Sequence, residues 1–525
     1  MTNAGATIAR AALFMMLMTA VARVLGFARE AVMMTLFGQN YLTDAYRAAF
    51  SIPDFIYLLL VGGALSAALI PVFTTYLSNG REEEGWEAVS VVFNYIVLLL
   101  LVLIAAAYFF TSPLIKLLAP GLPPAYAAMA VSLTHIMFIQ TFFMALSGIS
   151  QGILNSYNQF AAPALGSVLY NLFIIILGIA LFQQLGIRAF AIGVVVGAVF
   201  NFAVQIPALR RVGVHYHFTF NCRNPGFVKI MILMIPVLLG LSVAQLNLFV
   251  TQNLASSVGA GMISALNLAQ KIMNLPVGIF GAAIATAVFP TLTAMTARGD
   301  MAGFRRHSSL GLRAIFLVTI PSAFGLAAIG EPLIKLLFQQ GQFTAAMAHT
   351  TFQVLLYFCA GLAAYAGIMV LNRSFYAMKD TLTPLMAAGA TIVLNVVLSL
   401  YLSGLMGVKG LALAISLAGI FNCLVLAAAL RLKAGPIGGR VLMRSLTVAL
   451  LGSTAMYFVV NYSIQLLLPW LPWADKMNQL LAVTAGVSLG AAIYGLIIYG
   501  FKMEETELVL KMVRHRIPGW GANQR

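Results

Sequence analysis

The chain has 525 residues, of which 61% are hydrophobic and only 8% charged, with a formal net charge of +16. Soluble globular domains carry about 25% charged residues, so this composition excludes them and implies a polytopic membrane protein. The basic excess could suit a nucleic acid, but it falls at alternate connections between apolar segments and therefore reports membrane topology.

Runs of about 20 apolar residues, enough to cross a bilayer as a helix, recur along the whole chain. Fourteen are expected, beginning near residues 8, 44, 86, 125, 160, 186, 225, 260, 303, 343, 382, 407, 439 and 476. The first contains "TAVARVLGFAREAV" (19–32), which places Arg23, Arg29 and Glu30 inside an otherwise apolar segment. No small-residue cleavage site follows a short apolar core there, so it is expected to be a membrane helix rather than a signal peptide. The second carries Asp44 and Arg47, then Pro53 and the pair Gly62-Gly63. After the sixth comes "VHYHFTF", with His215 and His217, read as a connecting loop. The eighth carries Lys271, then Pro276, Gly278 and Gly281.

Arg81, Arg210, Arg211, Arg223, Arg298, Arg305, Arg306, Arg373, Lys379, Arg431, Lys433, Arg440, Arg444 and the tail from Lys502 occupy every second connection. The connections between hold single charges: Lys116, Arg188, Lys335, Lys409 and Lys476. Cytoplasmic loops are the ones enriched in Lys and Arg, so both termini are expected in the cytoplasm, which requires an even number of helices. Attraction to anionic lipid headgroups follows from the same residues. Cys222, Cys359 and Cys423 are too scattered for a disulfide framework.

Internal repetition sets the architecture. "PLIKLL" at Pro113–Leu118 recurs at Pro332–Leu337, an offset of 219 residues. Near that offset 62–80 aligns with 281–299, sharing Gly62/Gly281, Ala68/Ala287, Pro71/Pro290 and Gly80/Gly299. Residues 186–210 align with 407–431 without a gap. Three ordered matches imply two copies of a six-helix unit, 1–220 and 221–435. An even number of helices per copy makes the repeats parallel. Two such lobes around a central cavity suit a transporter that works by alternating access. Residues 436–525 have no counterpart and add helices 13 and 14 with a basic tail. The Gly/Pro-interrupted helices 2 and 8 are repeat counterparts, and irregular backbone at membrane depth belongs where it lines a cavity.

Four of the 30 Lys and Arg residues are hard to place at a surface: Arg23, Arg29, Arg47 and Lys271. At 1.5 Å per residue, Arg23 falls roughly 22 Å along helix 1 and Lys271 roughly 16 Å along helix 8, both near mid-depth. A charge at the bilayer centre costs about 2.5–3.5 kcal/mol or more. Such groups snorkel, pair, or face a cavity. Asp44 and Arg47, three residues apart, are expected to pair with each other near the outer surface. Arg23 and Lys271 have no acidic neighbour in sequence and suit an anion such as phosphate or pyrophosphate. The sequence holds no nucleophile elbow, phosphate-binding Gly loop or metal-ligand cluster, so a non-enzyme is expected.

"RVLGFAREAV", "TDAYRAAFSIPDF", "GGALSAALIPVF", "AQKIMNLPVGIFGAAIATAVFPTL", "LFQQGQFT" and "NRSFYAMKDTLTP" together resemble the MurJ/MviN family of lipid II flippases, across essentially the whole chain. The resemblance implies movement of an undecaprenyl-pyrophosphate-linked peptidoglycan precursor across the bacterial cytoplasmic membrane by a monomer. It implies substrate contacts for Arg23, Arg29 and Lys271, supporting or gate roles for Glu30, Asp44 and Arg47, and a lipid-tail groove at helices 13 and 14. There are departures. Where many members carry an arginine pair and then a glutamate in helix 2, this chain has Tyr57, Leu58 and Gly62. The counterparts of a sodium site seen in some members are Thr251, Asn395 and Ser399, without a carboxylate, so sodium is not expected; the membrane potential is the expected driver and no cofactor is implied. The alternatives are a flippase for another polyprenyl-linked sugar, an organic-cation antiporter of the same superfamily, and a non-transporting cell-wall scaffold.

Overall fold

Local capping residues decide where many of these apolar helices start. Asn40 opens the second helix, its side chain accepting from the backbone N–H of Leu42 at 2.9 Å and Thr43 at 3.2 Å, while Thr43 returns a bond to the Asn40 N–H. Asn224 does the same for Gly226 and Phe227 ahead of the central helix of the chain. Each satisfies donors that a helix N-terminus otherwise leaves unpaired.

A computed structural model describes the backbone of residues 2–467 and 475–501, with side chains from residue 14 onward except at 64, 66, 239, 243 and 467. The basic tail expected from Lys502 lies outside the described residues. The elements are α1 (Thr2–Phe37), α2 (Tyr41–Leu60), α3 (Ala64–Ser78), α4 (Glu82–Leu118), α5 (Pro124–Ser156), α6 (Ala161–Ala180), α7 (Phe182–Leu185), α8 (Arg188–Ala203), α9 (Ile206–Val212) and α10 (Pro225–Val258). They continue with α11 (Met262–Pro276), a π-helical turn (Val277–Gly281), α12 (Ala282–Ala297), α13 (Met301–Phe338), α14 (Ala345–Ala377), α15 (Leu382–Met406), α16 (Val408–Ala434), α17 (Gly439–Leu467) and α18 (Asp475–Gly500). No strand occurs among the described residues. Twelve helical segments among them are long and apolar enough to cross a membrane. The other two expected segments are α1 and the α2–α3 pair, both helical but interrupted by charges or by a break. The protein is an all-α, multi-pass membrane protein.

The chain forms two compact units, Met1–Ser264 with Gln340–Phe343, and Ala265–Gln339 with Thr344–Arg525. In the first, α5 packs between α2 and α8, α6 lies on α8 and α1, and α10 lies along α3 and α4. In the second, α14 sits between α13 and α16, and α17 and α18 both pack on α13. Phe375, Leu371, Leu426 and Leu430 belong to the apolar core of that second unit. Gly486 permits the close approach of α18 to α13: a Cβ there would stand 2.7 Å from Ile329 Cγ2. Lys476, at the start of α18, donates to the final carbonyls of α13, Lys335 O at 3.1 Å and Leu336 O at 2.8 Å. Between α17 and α18 lies a cavity of about 600 Å³, lined by Val460, Ile464, Leu481 and Leu489 with the hydroxyls of Ser463, Thr484 and Ser488.

Both interrupted helices are broken, by different means. After Leu60 the N–H groups of Val61 and Gly62 both reach Tyr57 O, at 2.8 and 3.0 Å, and the chain turns through Gly63 at φ 93°. Past Pro276 the counterpart loses its α-helical register to one π-turn and then resumes; proline lacks the N–H and crowds the preceding turn. On the basic side, the Asp380 carboxylate following α14 is held at a pKa of about 2 by the Lys433 amine at the end of α16.

Substituting Gly63 by Ala should destabilise the protein by about 1–2 kcal/mol, the cost of a left-handed residue with a Cβ. Thermal unfolding in detergent reads this out. Gly389→Ala, inside α15 with open space around it, serves as the control and should leave the midpoint unchanged or raised. An undiminished midpoint for Gly63→Ala would contradict the turn geometry.

Candidate functional site

The charges of helix 1 converge with those of α2 inside the first unit. Glu30 is 4% exposed. Its Oε2 accepts from Arg47 Nη2 at 2.7 Å and its Oε1 from Arg29 Nη2 at 3.4 Å. Arg47, its side chain 10% exposed, also donates from Nε to Ser264 Oγ at 3.1 Å. A buried carboxylate is costly unless paired and hydrogen-bonded. The planar fork of arginine meets that need by serving two acceptors at once.

The pairing expected between Asp44 and Arg47 is not formed. Asp44 is 1% exposed and accepts the backbone N–H of Ser264 at 2.8 Å. It thereby caps the first turn of α11, where unpaired N–H groups and the helix dipole favour a carboxylate. Two neighbours three residues apart on one helix thus take separate partners: Arg47 pairs with Glu30, 17 residues earlier, and Asp44 with the Ser264 N–H, 220 residues later. Asp44 is buried and Arg47 largely so. The Thr35 carbonyl of α1 accepts the N–H of Gln342 at 2.8 Å, so residues 340–343 belong to the same unit.

Arg23 stands apart from this network, exposed and without an ion-pair or hydrogen-bond partner among the described residues. Arg29 is partly exposed, its side chain at 23%. Lys271 lies half-buried on α11 in the second unit. Of the positions where the chain departs from the resemblance, Tyr57 and Leu58 are half-buried on α2 and Gly62 forms the helix break. A Cβ at residue 62 would stand 2.7 Å from Leu58 Cα, so this backbone accepts no side chain there, glutamate included.

The counterparts of the sodium site are buried. The Thr251 hydroxyl donates to Asn247 O of its own helix at 3.0 Å, and the Ser399 hydroxyl points to Asn395 Oδ1 at 3.5 Å, one turn back on α15. Thr251 belongs to the first unit and Asn395 and Ser399 to the second.

Two charged residues escaped the sequence reading. Asp54 follows Pro53 on α2, is exposed, and interacts electrostatically with Arg29; Tyr57 and Tyr170 belong to the same electrostatic set. Its sequence signal is a carboxylate inside the apolar run "SIPDF". Arg313 was counted among surface cations, yet it is 7% exposed within α13. Its place 12 residues past the start of that helix was the available clue.

A model of the family described as "Lipid II flippase MurJ" matches residues 33–516. This chain belongs to the MurJ lipid II flippase family. A lipid II flippase of Burkholderia cenocepacia is 30% identical over 421 residues, covering 79% of this chain and 82% of the relative. A probable lipid II flippase of Vibrio cholerae is 29% identical over 488 residues, 91% of this chain and 93% of the relative. A solved MurJ structure in an inward closed conformation superposes with a TM-score of 0.79 at 28% identity, covering 95% of this chain and all of that one. An inward-facing multidrug transporter of the MATE family shares the fold at a TM-score of 0.65 and 15% identity, over 79% of this chain and 95% of its own. Within the MurJ family, then, this member carries the Glu30–Arg47 bridge in its first unit and a glycine-built break in helix 2.

Removing one side of a buried ion pair costs about 3–5 kcal/mol, because the other charge is stranded. Glu30→Leu and Arg47→Met should therefore each lower thermal stability strongly, and the double variant should recover part of the loss. Losses that simply add would show that the two side chains do not depend on each other.

Proposed function

We propose that this protein moves lipid II, a polyprenyl-pyrophosphate carrying the peptidoglycan building block, from the inner to the outer leaflet of the bacterial cytoplasmic membrane by alternating access. The observation that carries the reading is Arg23: a cation on an apolar membrane helix, exposed and with no counter-ion among the described residues. A pyrophosphate supplies that counter-ion. Charge-assisted bonds from guanidinium to phosphate are about twice as strong as neutral ones, and a bidentate arginine also orients the group.

In this reading Arg23 and Arg29 hold the phosphates, and Lys271 is a further cation proposed to bind the substrate. Glu30 does not cancel this attraction, because its shorter bond goes to Arg47. It holds Arg29 in place at 3.4 Å while leaving that guanidinium part-exposed. The cavity between α17 and α18, walled by aliphatic side chains, receives part of the polyprenyl chain. Both termini face the cytoplasm, and the membrane potential drives the anion outward with about 2.3 kcal/mol per charge per 100 mV.

The test is replacement in a bacterium depleted of its own flippase, scoring lipid II that an enzyme confined to the outside can modify. The wild-type chain should restore outer-leaflet lipid II, whereas Arg23→Ala/Lys271→Ala, at equal abundance, should not. A wild type that inserts normally yet leaves the precursor inside would overturn the substrate; full activity of the double variant would overturn the cationic site.

A further inference from the structure

The connection from α9 to α10, residues 213–224, is neither helix nor disordered coil pinned at its ends alone. It runs extended along the first turns of α4 and is fastened by that helix's polar side chains. His217 N–H donates to Ser90 Oγ at 3.0 Å, Asn94 Nδ2 donates to Thr219 O at 2.8 Å, and Tyr216 OH donates to Asn94 Oδ1 at 2.7 Å. Ser90 and Asn94 lie one turn apart on one face and are buried beneath the segment. Tyr95 OH adds a bond to Phe220 O at 3.0 Å.

Fastened in this way, the segment still leaves large apolar groups uncovered. Phe218 is 80% exposed, Tyr216 48% and Phe220 40%. Phe218 meets Phe220 edge-on at 5.4 Å, Phe220 meets Tyr95 at 5.4 Å, and Tyr95 stacks on Phe227 of α10 at 5.2 Å.

The depth of this aromatic row follows from α4 itself. The exposed apolar residues of α4 run from Leu98 to Leu117, about 28 Å at 1.5 Å per residue, close to the ~30 Å hydrocarbon core. Tyr95 lies one turn before Leu98, in the headgroup layer where aromatic residues concentrate. On α10 the lipid-level exposure likewise begins just after Phe227, with Val228 and Ile232. Arg210 and Arg211 close α9 just before the segment, Arg223 lies within it and Lys229 follows Phe227 on α10, all exposed. The acidic residues near it, Glu82 to Glu84 and Glu87, lie about two to three and a half turns before Tyr95 on α4, and Glu82 and Glu84 are engaged by Tyr157 and Arg81.

We propose that residues 213–224 form an interfacial strap that docks on anionic phospholipid headgroups of the cytoplasmic leaflet, with Phe218 and Phe220 inserted at the acyl boundary and Arg223 on the phosphates. The strap joins the two sequence repeats, so lipid contact would hold this joint to the membrane surface. The inference uses only the cytoplasmic placement of the basic connections from the functional reading, and its test does not read transport.

Cys222 supplies the probe. It is exposed, whereas Cys359 and Cys423 are buried. A nitroxide on Cys222 of the full chain in nanodiscs should collide with oxygen more than with a water-soluble nickel chelate, and lose mobility as phosphatidylglycerol replaces phosphatidylcholine. Arg223→Gln should raise the phosphatidylglycerol fraction needed for half of that change about fivefold, the equivalent of about 1 kcal/mol for one basic residue at an anionic surface. Phe218→Ser should increase nickel access. Both substituted side chains are exposed, so unfolding midpoints should match the wild type. Nickel access as free as in water, or mobility indifferent to phosphatidylglycerol, would overturn the proposal; the latter would assign the aromatic row to a protein partner.

Discussion

Charge inside an apolar segment must be matched, and the first unit is organised around that requirement. Glu30 is the centre of it. With Arg47 at 2.7 Å and Arg29 at 3.4 Å, one carboxylate ties α1 to α2 and holds a second guanidinium beside them. Arg47 extends the network to Ser264, and Asp44 completes the junction by capping the same turn. Replacing such a pair by apolar residues is often neutral for stability, so its use here lies in position: it fixes the orientation of α1, which carries Arg23 and Arg29. On α1, Arg23 has no ion-pair or hydrogen-bond partner among the described residues, and the substrate phosphates are proposed to match it.

Each unit also carries a helix break. Gly62 and Gly63 end α2 and begin α3 with a left-handed turn, while Pro276 leads into a π-turn between α11 and α12. Freed backbone groups of this kind survive in a membrane only where protein or water satisfies them. Both breaks lie downstream of charged helix segments, Asp44 to Asp54 in one case and Lys271 in the other. At Gly62 the backbone leaves no room for a side chain, since a Cβ would stand 2.7 Å from Leu58 Cα.

Much of the architecture was readable from hydropathy because each span is a long apolar run bounded by polar residues. Expected starts near 225, 382 and 439 coincide with Pro225, Leu382 and Gly439, and those near 44 and 86 fall three and four residues late because Asn40 and Arg81 place the first turn in polar sequence. Pattern alone could not give the partners of Asp44 and Arg47. Spacing of three residues makes them neighbours on a helix, but desolvation and a distant helix terminus outweigh proximity. Arg313 was hidden for a related reason, its basic neighbours Arg305 and Arg306 making the whole start of α13 read as surface. The strap on α4 carries no periodic signal; its structure comes from Ser90 and Asn94, more than a hundred residues earlier.

The most direct measurement is binding of undecaprenyl pyrophosphate and of neutral undecaprenol to the purified chain in nanodiscs, with Arg23→Ala and Lys271→Ala beside the wild type. A cationic site predicts tighter binding of the pyrophosphate, and a loss of about tenfold or more in each variant, since a hydrogen bond to a charged group contributes about 1.5–3 kcal/mol. Undecaprenol binding should be unaffected. Equal affinity for the two lipids, or pyrophosphate binding untouched by both substitutions, would contradict the account.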